Sequence, residues 1–520
     1  MKKRKVAFVF ALAFLVLLQA AYGGGGSQAK SGGEVYAPDN DMVVGLFSDI
    51  QHLDPHNTST TISNMVHATI YEALVRSTVD MKFEPLLAES WETSADNLSY
   101  TFHLRRGVKF HDGTEFNADV VLANYQRAEE NTLSRQHSRQ LTWDSVKKLD
   151  DYTVVIKLKA PNVSFINQVT SFRMISAKAI ADKLDLARVA VGTGPFIFKE
   201  RVEGDRVTMV PNPNYWDTRK PTVDSITFRN ILEDGSRIAA LQTGECDYIY
   251  RVPAIQVGVI DGKDNIEVVS KTSTVMRYVT LNTRIPQLSD KRVRQALNYA
   301  IDKKAYIKTV FSGYGTEVHS LFPSSVSYYV AQPPYDFNIA KAKSLLAEAG
   351  YPNGFDLEIW GDNTSTEQLA MQFVQQQLAQ IGVKLNVRPM DSNLINSLIY
   401  VPDDQMTIQT WYVNWSGGGD VDGAVRNILY SAMKPPASAN TAYYNSPKFD
   451  ELLDQARATV DPAKLAPIYA EVQKVAWEDA PWIFMGSDDV IAGKKTYVSN
   501  VDLAPGGGID FRFASLKLKP

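Results

Sequence analysis

Residues 409–422 (QTWYVNWSGGGDVD) set three aromatic side chains, Trp411, Tyr412 and Trp415, ahead of three glycines and two carboxylates, Asp420 and Asp422. Aromatic faces beside a permissive acidic loop suit an amphipathic ligand that carries an ammonium group. The same aspartates also read as a Gly–Asp turn capping a helix over 423–429. Two carboxylates two residues apart raise acid/base hydrolysis as well. Nothing else supports it: the chain holds no GxSxG, no HExxH and no phosphate loop. A second polar stretch, Asn57-Thr58-Ser59-Thr60, offers short side chains that either hydrogen-bond a ligand or cap a helix expected over 62–71. His52 and His56 stand four apart with His67 beyond, but Pro55 breaks the helix that would bring such a pair onto one metal. The three are therefore read as polar surface histidines. The single Cys246 cannot form an internal disulfide or a multi-cysteine zinc site. It has no basic neighbour and reads as a small packed residue.

The elements that must position these residues start with 87–127. Tyr100, Phe102 and Leu104 alternate with Thr101, His103 and Arg105, the period of a half-buried strand. After the basic turn 105–107, residues 108–110 read as a second short strand closed by Asp112-Gly113. Asn117 then caps a helix whose apolar stripe is Val120, Val121 and Tyr125. A further alternating strand covers 152–158. Later, helices over 293–301, 340–350 and 368–381 interleave with a strand over 355–360, the pattern of a mixed α/β lobe. The Gly-rich turn 191–196 (VGTGPF) is a poor phosphate cradle, because Pro195 removes a backbone donor.

With 520 residues, two or more domains are expected. Net charge is −4, with 44% hydrophobic and 22% charged residues, which lacks the basic excess of a nucleic-acid binder. Residues 2–5 are basic, 6–20 apolar and 21–23 small, the layout of a signal peptide over 1–23. The apolar run is shorter than the roughly 20 residues of a bilayer span. Residues 24–40 begin GGGSQAKSGG and read as a flexible tether. The cysteine that would carry lipid in a bacterial lipoprotein is missing there. That leaves a released periplasmic protein, or a membrane-tethered one in which that position has been altered.

The stretch 87–127, with GTGPF at 192–196, NPNYW at 212–216, VRQALNYAI at 293–301 and NTAYY at 440–444, resembles the family 5 extracellular solute-binding proteins. These are the dipeptide-, oligopeptide-, nickel- and glutathione-binding receptors of ABC importers. The resemblance implies an α/β, periplasmic binding protein type II-like, two-lobed clam-shell with an extra inserted small domain. It implies lobe I at 41–73, 185–275 and 486–520, an architectural inserted domain at 74–184, and lobe III at 276–485. It also brings the loop with Asn57 and Ser59 to the ligand cleft and makes 277–282 a strand passing between lobes. Arg277 is then a candidate partner for a ligand carboxylate, or a surface arginine on a strand edge. Where the peptide receptors carry an amine-binding aspartate three residues after the tryptophan, this chain has Gly418, so Asp420 or Asp422 must take that role. QQQLAQ at 375–380 and the displaced acidic pair are most similar to the glutathione-binding branch. The expected function is capture of glutathione or a short peptide, held by Asn57, Ser59, Arg277, Tyr412, Trp415, Asp420 and Asp422. Delivery would be to permease transmembrane subunits, by a monomer without cofactor or nucleic acid. A nickel-chelate receptor is the alternative, and an exported peptidase a remote one.

Overall fold

The computed structural model describes residues 34–57, 60–79, 82–131, 142–162, 164–417, 421–459 and 461–520. The signal-peptide reading and most of the tether lie outside these. Residue 37 is already fixed: the Ala37 amide donates to Lys517 O at 2.8 Å and the residue is buried. Within the stretch 35–40, expected to end the tether, Ala37 is therefore packed against the C-terminal segment, and Asn40 donates to Thr222 O.

Lobe I begins with β1 (Asp41–Leu46) and α1 (Thr61–Ile70). The Thr60 hydroxyl accepts from Ser63 N at 3.2 Å and caps α1, whose Ile62, Met65, Val66 and Ile70 are buried at helical spacing. The chain then builds an antiparallel sheet from β2 (Ala88–Thr93) and β3 (Ser99–Leu104). The helix α2 (Ala118–Glu130) follows, and β4 (Trp143–Asp150) and β5 (Thr153–Leu158) complete the sheet in the order β2-β3-β5-β4. The period-two reading holds: Tyr100, Phe102 and Leu104 are buried, while Thr101 and His103 are only partly so. Burying Phe102 completely is worth about 1.5–3 kcal/mol. Asn117 caps α2 through Asp119 N and Val120 N, as its type suggested. The expected strand over 108–110 is absent. Phe110 N instead donates to Thr114 O and Gly113 N to Phe110 O, closing a turn, with a single bridge between Lys109 and Glu115.

Lobe I resumes with β6 (Phe196–Val202), β7 (Arg206–Pro211) and β8 (Ser225–Asn230), then α3 (Asp234–Thr243) and β9 (Tyr248–Tyr250). The turn before β6 is tight because Gly194 N donates to Ile70 O at 2.9 Å; a Cβ on Gly194 would lie 2.7 Å from that oxygen. Where lobe I meets the inserted domain, buried Glu72 accepts from Thr193 Oγ1, Tyr215 Oη and Trp216 Nε1, each at 2.8 Å. Burial pushes its carboxyl above the ordinary range despite those donors.

The chain leaves lobe I through β10 (Ile266–Thr272) and β11 (Met276–Leu281). Lobe III contains β12 (Asp356–Asp362), α4 (Ser365–Ala379), β13 (Lys384–Met390), β14 (Thr410–Trp415) and α5 (Val421–Leu429). Helix α5 starts two residues before the expected 423, so Asp422 belongs to its first turn. The long β15 (Trp482–Lys495) returns the chain. One sheet of 12 strands runs β13-β12-β14-β11-β15-β9-β1-β8-β7-β6, with β10 and Gly315–Thr316 also on β15. Strand β15 pairs with β11 through Trp482–Gly486 and with β9 and β10 farther on, so one strand serves both lobes. This is a two-lobed α/β molecule hinged on two crossing strands.

Candidate ligand cleft at the hinge

Registers show where the lobes aim their strands. In lobe I, β8 and β9 run parallel to β1, and Tyr250 at the end of β9 pairs with Ala492, nearer the hinge than Lys494 opposite Tyr248. In lobe III, β12 is parallel to both β13 and β14, and Trp415 at the end of β14 pairs with Met276 at the start of β11. Both lobes therefore point the carboxyl ends of their parallel strands at the hinge, where open α/β sheets bind ligands.

Thr274, between the two halves of the first crossing strand, is where the loops of both lobes meet. Its amide donates to Pro505 O at 3.0 Å, and its hydroxyl pairs with Ser416 Oγ at 2.8 Å, just beyond Trp415. On the lobe I side, Gly507 has φ +78, and a Cβ there would lie 2.7 Å from Tyr250 Oη and 3.6 Å from Thr61 Cγ2. Glycine is what lets this loop nest between β9 and the start of α1. A cavity of about 1050 Å³ opens from Thr61 and Gly506 along α1 towards Arg76 and Arg173 of the inserted domain.

The sequence-derived site residues fall into two groups. Asn57 is partly exposed beside the N-terminus of α1, its amide donating to Asp54 O. Asp54 is held by Arg127 of the inserted domain at 2.6 Å, which fixes this turn. Trp415 is half-buried, and its indole donates to Gly423 O at 3.3 Å. Ser59 and Asp420 lie outside the described residues, next to Thr60 and Val421. The contacts at Thr274 thus join the Pro505 loop of lobe I to Ser416, just beyond the aromatic strand end of lobe III.

Arg277, Tyr412 and Asp422 are committed to protein partners. Arg277 donates from Nε and Nη2 to the two oxygens of Asp488 at 3.1 and 3.2 Å, and from Nη1 to Glu367 at 3.3 Å. It therefore clasps the two crossing strands together and ties them to α4. Burial would raise the Asp488 carboxyl, yet the Arg277 guanidinium holds it below the ordinary range. Glu367, with one contact to Arg277, is raised by burial. The Tyr412 hydroxyl is buried against Tyr306 Oη at 2.5 Å. Asp422 is 4% exposed and takes Arg426 Nε on one oxygen and Arg457 Nη2 on the other, both at 2.8 Å. Asp488, Glu367 and Thr274 escaped the sequence reading. Two adjacent aspartates at 488–489 inside the apolar run of β15 were a usable signal, since a buried carboxylate needs a cation.

The surface reading of the histidines fails for His56 and His67, both 0% exposed. His56 stacks on Phe172 at 4.9 Å, with Nε2 on Arg173 O and Nδ1 beside Arg127 Nη1, both at 2.9 Å. His67 Nε2 meets His52 O at 2.8 Å. Burial lowers them to about 4 and about 3. Cys246 is buried as expected, with its thiol pushed up to about 12 by burial. Among the described residues, no group of three His, Cys, Asp or Glu is placed to hold a metal ion, and no helix is long and apolar enough to cross a membrane.

A hinge of two crossing strands, with strand ends and loops of both lobes converging on it, defines a receptor that closes on a small ligand. The profile of the bacterial extracellular solute-binding proteins, family 5, matches residues 82–450, and the chain belongs to this family. It is 37% identical over 484 residues to the glutathione-binding protein GsiB of Pectobacterium atrosepticum, covering 92% of this chain and 94% of that one. To GsiB of Escherichia coli K12 it is 34% identical over 485 residues, with the same coverage. Among solved structures it is similar to HbpA2 of Haemophilus parasuis, with TM-score 0.83, 30% identity, and 92% and 100% of the two chains covered. It is also similar to the periplasmic binding protein DppA of Helicobacter pylori in complex with the peptide STSA, with TM-score 0.72, 26% identity, and 92% and 98% covered. The chain is thus an extracytoplasmic, non-catalytic substrate-binding protein of an ABC importer, which takes its ligand between two lobes for delivery to a permease.

Proposed function

We propose that the ligand is glutathione or another short peptide with free termini. The observation that carries this reading is the junction at Thr274, where the Pro505 loop of lobe I, nested against Tyr250 and Thr61 through Gly507, meets Ser416, just past Trp415 of lobe III. The likeness to two glutathione-binding relatives over 92% of the chain supports the choice of ligand. Asn57 and Ser59 supply short polar groups, Trp415 a stacking face, and Asp420 the carboxylate for the ligand amine. Asp420 takes this role in preference to Asp422, whose oxygens both serve arginines. Arg277 and Tyr412 hold the wall behind the ligand, and closure of the lobes excludes water from the charge pairs.

Titration calorimetry with glutathione, oxidised glutathione, di- and tripeptides, and nickel with histidine tests this directly. The expected result is saturable binding of glutathione or of short peptides. Binding of nickel–histidine alone would replace the proposal with a metal-chelate receptor.

A further inference from the structure

Arg251 follows the last paired residue of β9, at the edge where lobe I faces the hinge. Its backbone is pinned from behind: Arg251 O accepts from Arg237 Nη2 at 2.7 Å. The same guanidinium, on a residue 1% exposed, donates from Nη1 to Ile231 O at 2.8 Å and to Leu232 O at 3.3 Å. A buried arginine thus ties the carboxyl ends of β8 and β9 together and fixes the position from which Arg251 reaches out.

The Arg251 side chain itself is 56% exposed. Its ion pair with Asp488 is long, at 3.8 Å, and Arg277 already engages both oxygens of that carboxylate. Asp488 therefore steers Arg251 towards the hinge without taking up its donors. Arg277, the other arginine that meets Asp488, is spent on Asp488 and Glu367. A guanidinium offers five donors in a planar fork that matches a carboxylate, and its pull strengthens when closure removes water.

We propose that Arg251 is the carboxylate anchor of the cleft, and that it makes the receptor selective for ligands with a free carboxylate. This rests on the reading of the hinge as a peptide-binding cleft. The ligand then lies with its amine towards Trp415 in lobe III and its acid towards β9 in lobe I. A charged ligand of that kind contacts both lobes at once, which is what a closing receptor needs.

The test is titration calorimetry of the parent chain, Arg251→Ala and Arg251→Lys with two probe pairs: glutathione and its dimethyl ester, trialanine and its C-terminal amide. Arg251→Ala is expected to weaken the free acids about 10- to 100-fold, the loss of one charge-assisted contact. It should leave the esterified or amidated partners within about twofold, because their carboxylate is already gone. Arg251→Lys should fall between, keeping the charge but losing the fork. Equal losses for acid and ester would make Arg251 a closure contact, and unchanged acid binding would remove it from the site; either result overturns the proposal. A parent chain that binds none of the four probes overturns the peptide reading itself, and does so before any variant is measured.

Discussion

Replacing Arg277 with alanine separates a clasp from a ligand anchor. The Arg277 and Asp488 side chains are 9% and 12% exposed and joined by two hydrogen bonds, with Glu367 on the third guanidinium nitrogen. Removing one partner of a buried pair leaves a desolvated charge, at a cost of about 3–5 kcal/mol. For a cooperative unit of about 150–250 residues, each kcal/mol moves the melting midpoint by roughly 2–4 °C, so a drop of about 6–20 °C is expected. The loss should depend on pH. In the parent, Asp488 is held below its ordinary range, so its contribution is full above the unfolded pKa of about 3.9 and fades as pH falls through the lower folded value. In Arg277→Ala, burial acts without the guanidinium and raises that carboxyl, so protonation relieves the strain on acidification. The gap between variant and parent should therefore be wider at pH 7.5 than near pH 4.5. Adding Asp488→Asn to the variant should recover part of the stability at pH 7.5. The assay is calorimetric or circular-dichroism melting at both pH values, beside ligand titration. An Arg277→Ala chain that melts with the parent but no longer binds ligand would refute the clasp and return Arg277 to the ligand.

The two aspartates after Trp415 should part ways. Asp420→Asn is expected to weaken ligand binding at least about tenfold with little change in melting. Asp422→Asn should lower the melting midpoint, because it strips Arg426 and Arg457 of their shared carboxylate, while the folded fraction keeps its affinity. His56 and His67 are held neutral, at about 4 and about 3, against about 6.5 unfolded. The unfolded chain thus binds more protons below pH 6.5, and stability should fall by up to about 1.4 kcal/mol per pH unit per histidine between pH 6.5 and 4. Melting of His67→Gln across that range should show a shallower slope than the parent. The buried Cys246 should ignore Ellman's reagent in the native chain and react once in denaturant.

Much of the local structure was legible because local chemistry fixed it. Tyr100, Phe102 and Leu104 bury one face of β3 at the period of a strand, and Asn117 accepts the amides that a helix start leaves open. The stretch 108–110 misled because three residues with a buried first and last member fit either a strand or a turn, and the hydrogen bonds to Thr114 chose the turn. Of the site, Trp415 and the acidic loop were visible as composition, whereas the fate of each charge was not. Arg277 meets Asp488 from 211 residues away, and His56 meets Arg127 from 71 residues away. No window of sequence holds both members of either pair. Polar neighbours made His56 look like surface, and only the packing of the inserted domain against lobe I encloses it. Arg251 stood unnoticed because its significance lies in having a shared, long ion pair where its neighbours have short ones.

Small-angle X-ray scattering of the chain from residue 34 onward, with and without saturating glutathione or tripeptide, tests the central claim of capture between hinged lobes. Binding should shrink the radius of gyration as β8, β9 and the loop after Trp415 close on the ligand. An unchanged radius in a sample that calorimetry shows to be saturated would contradict it.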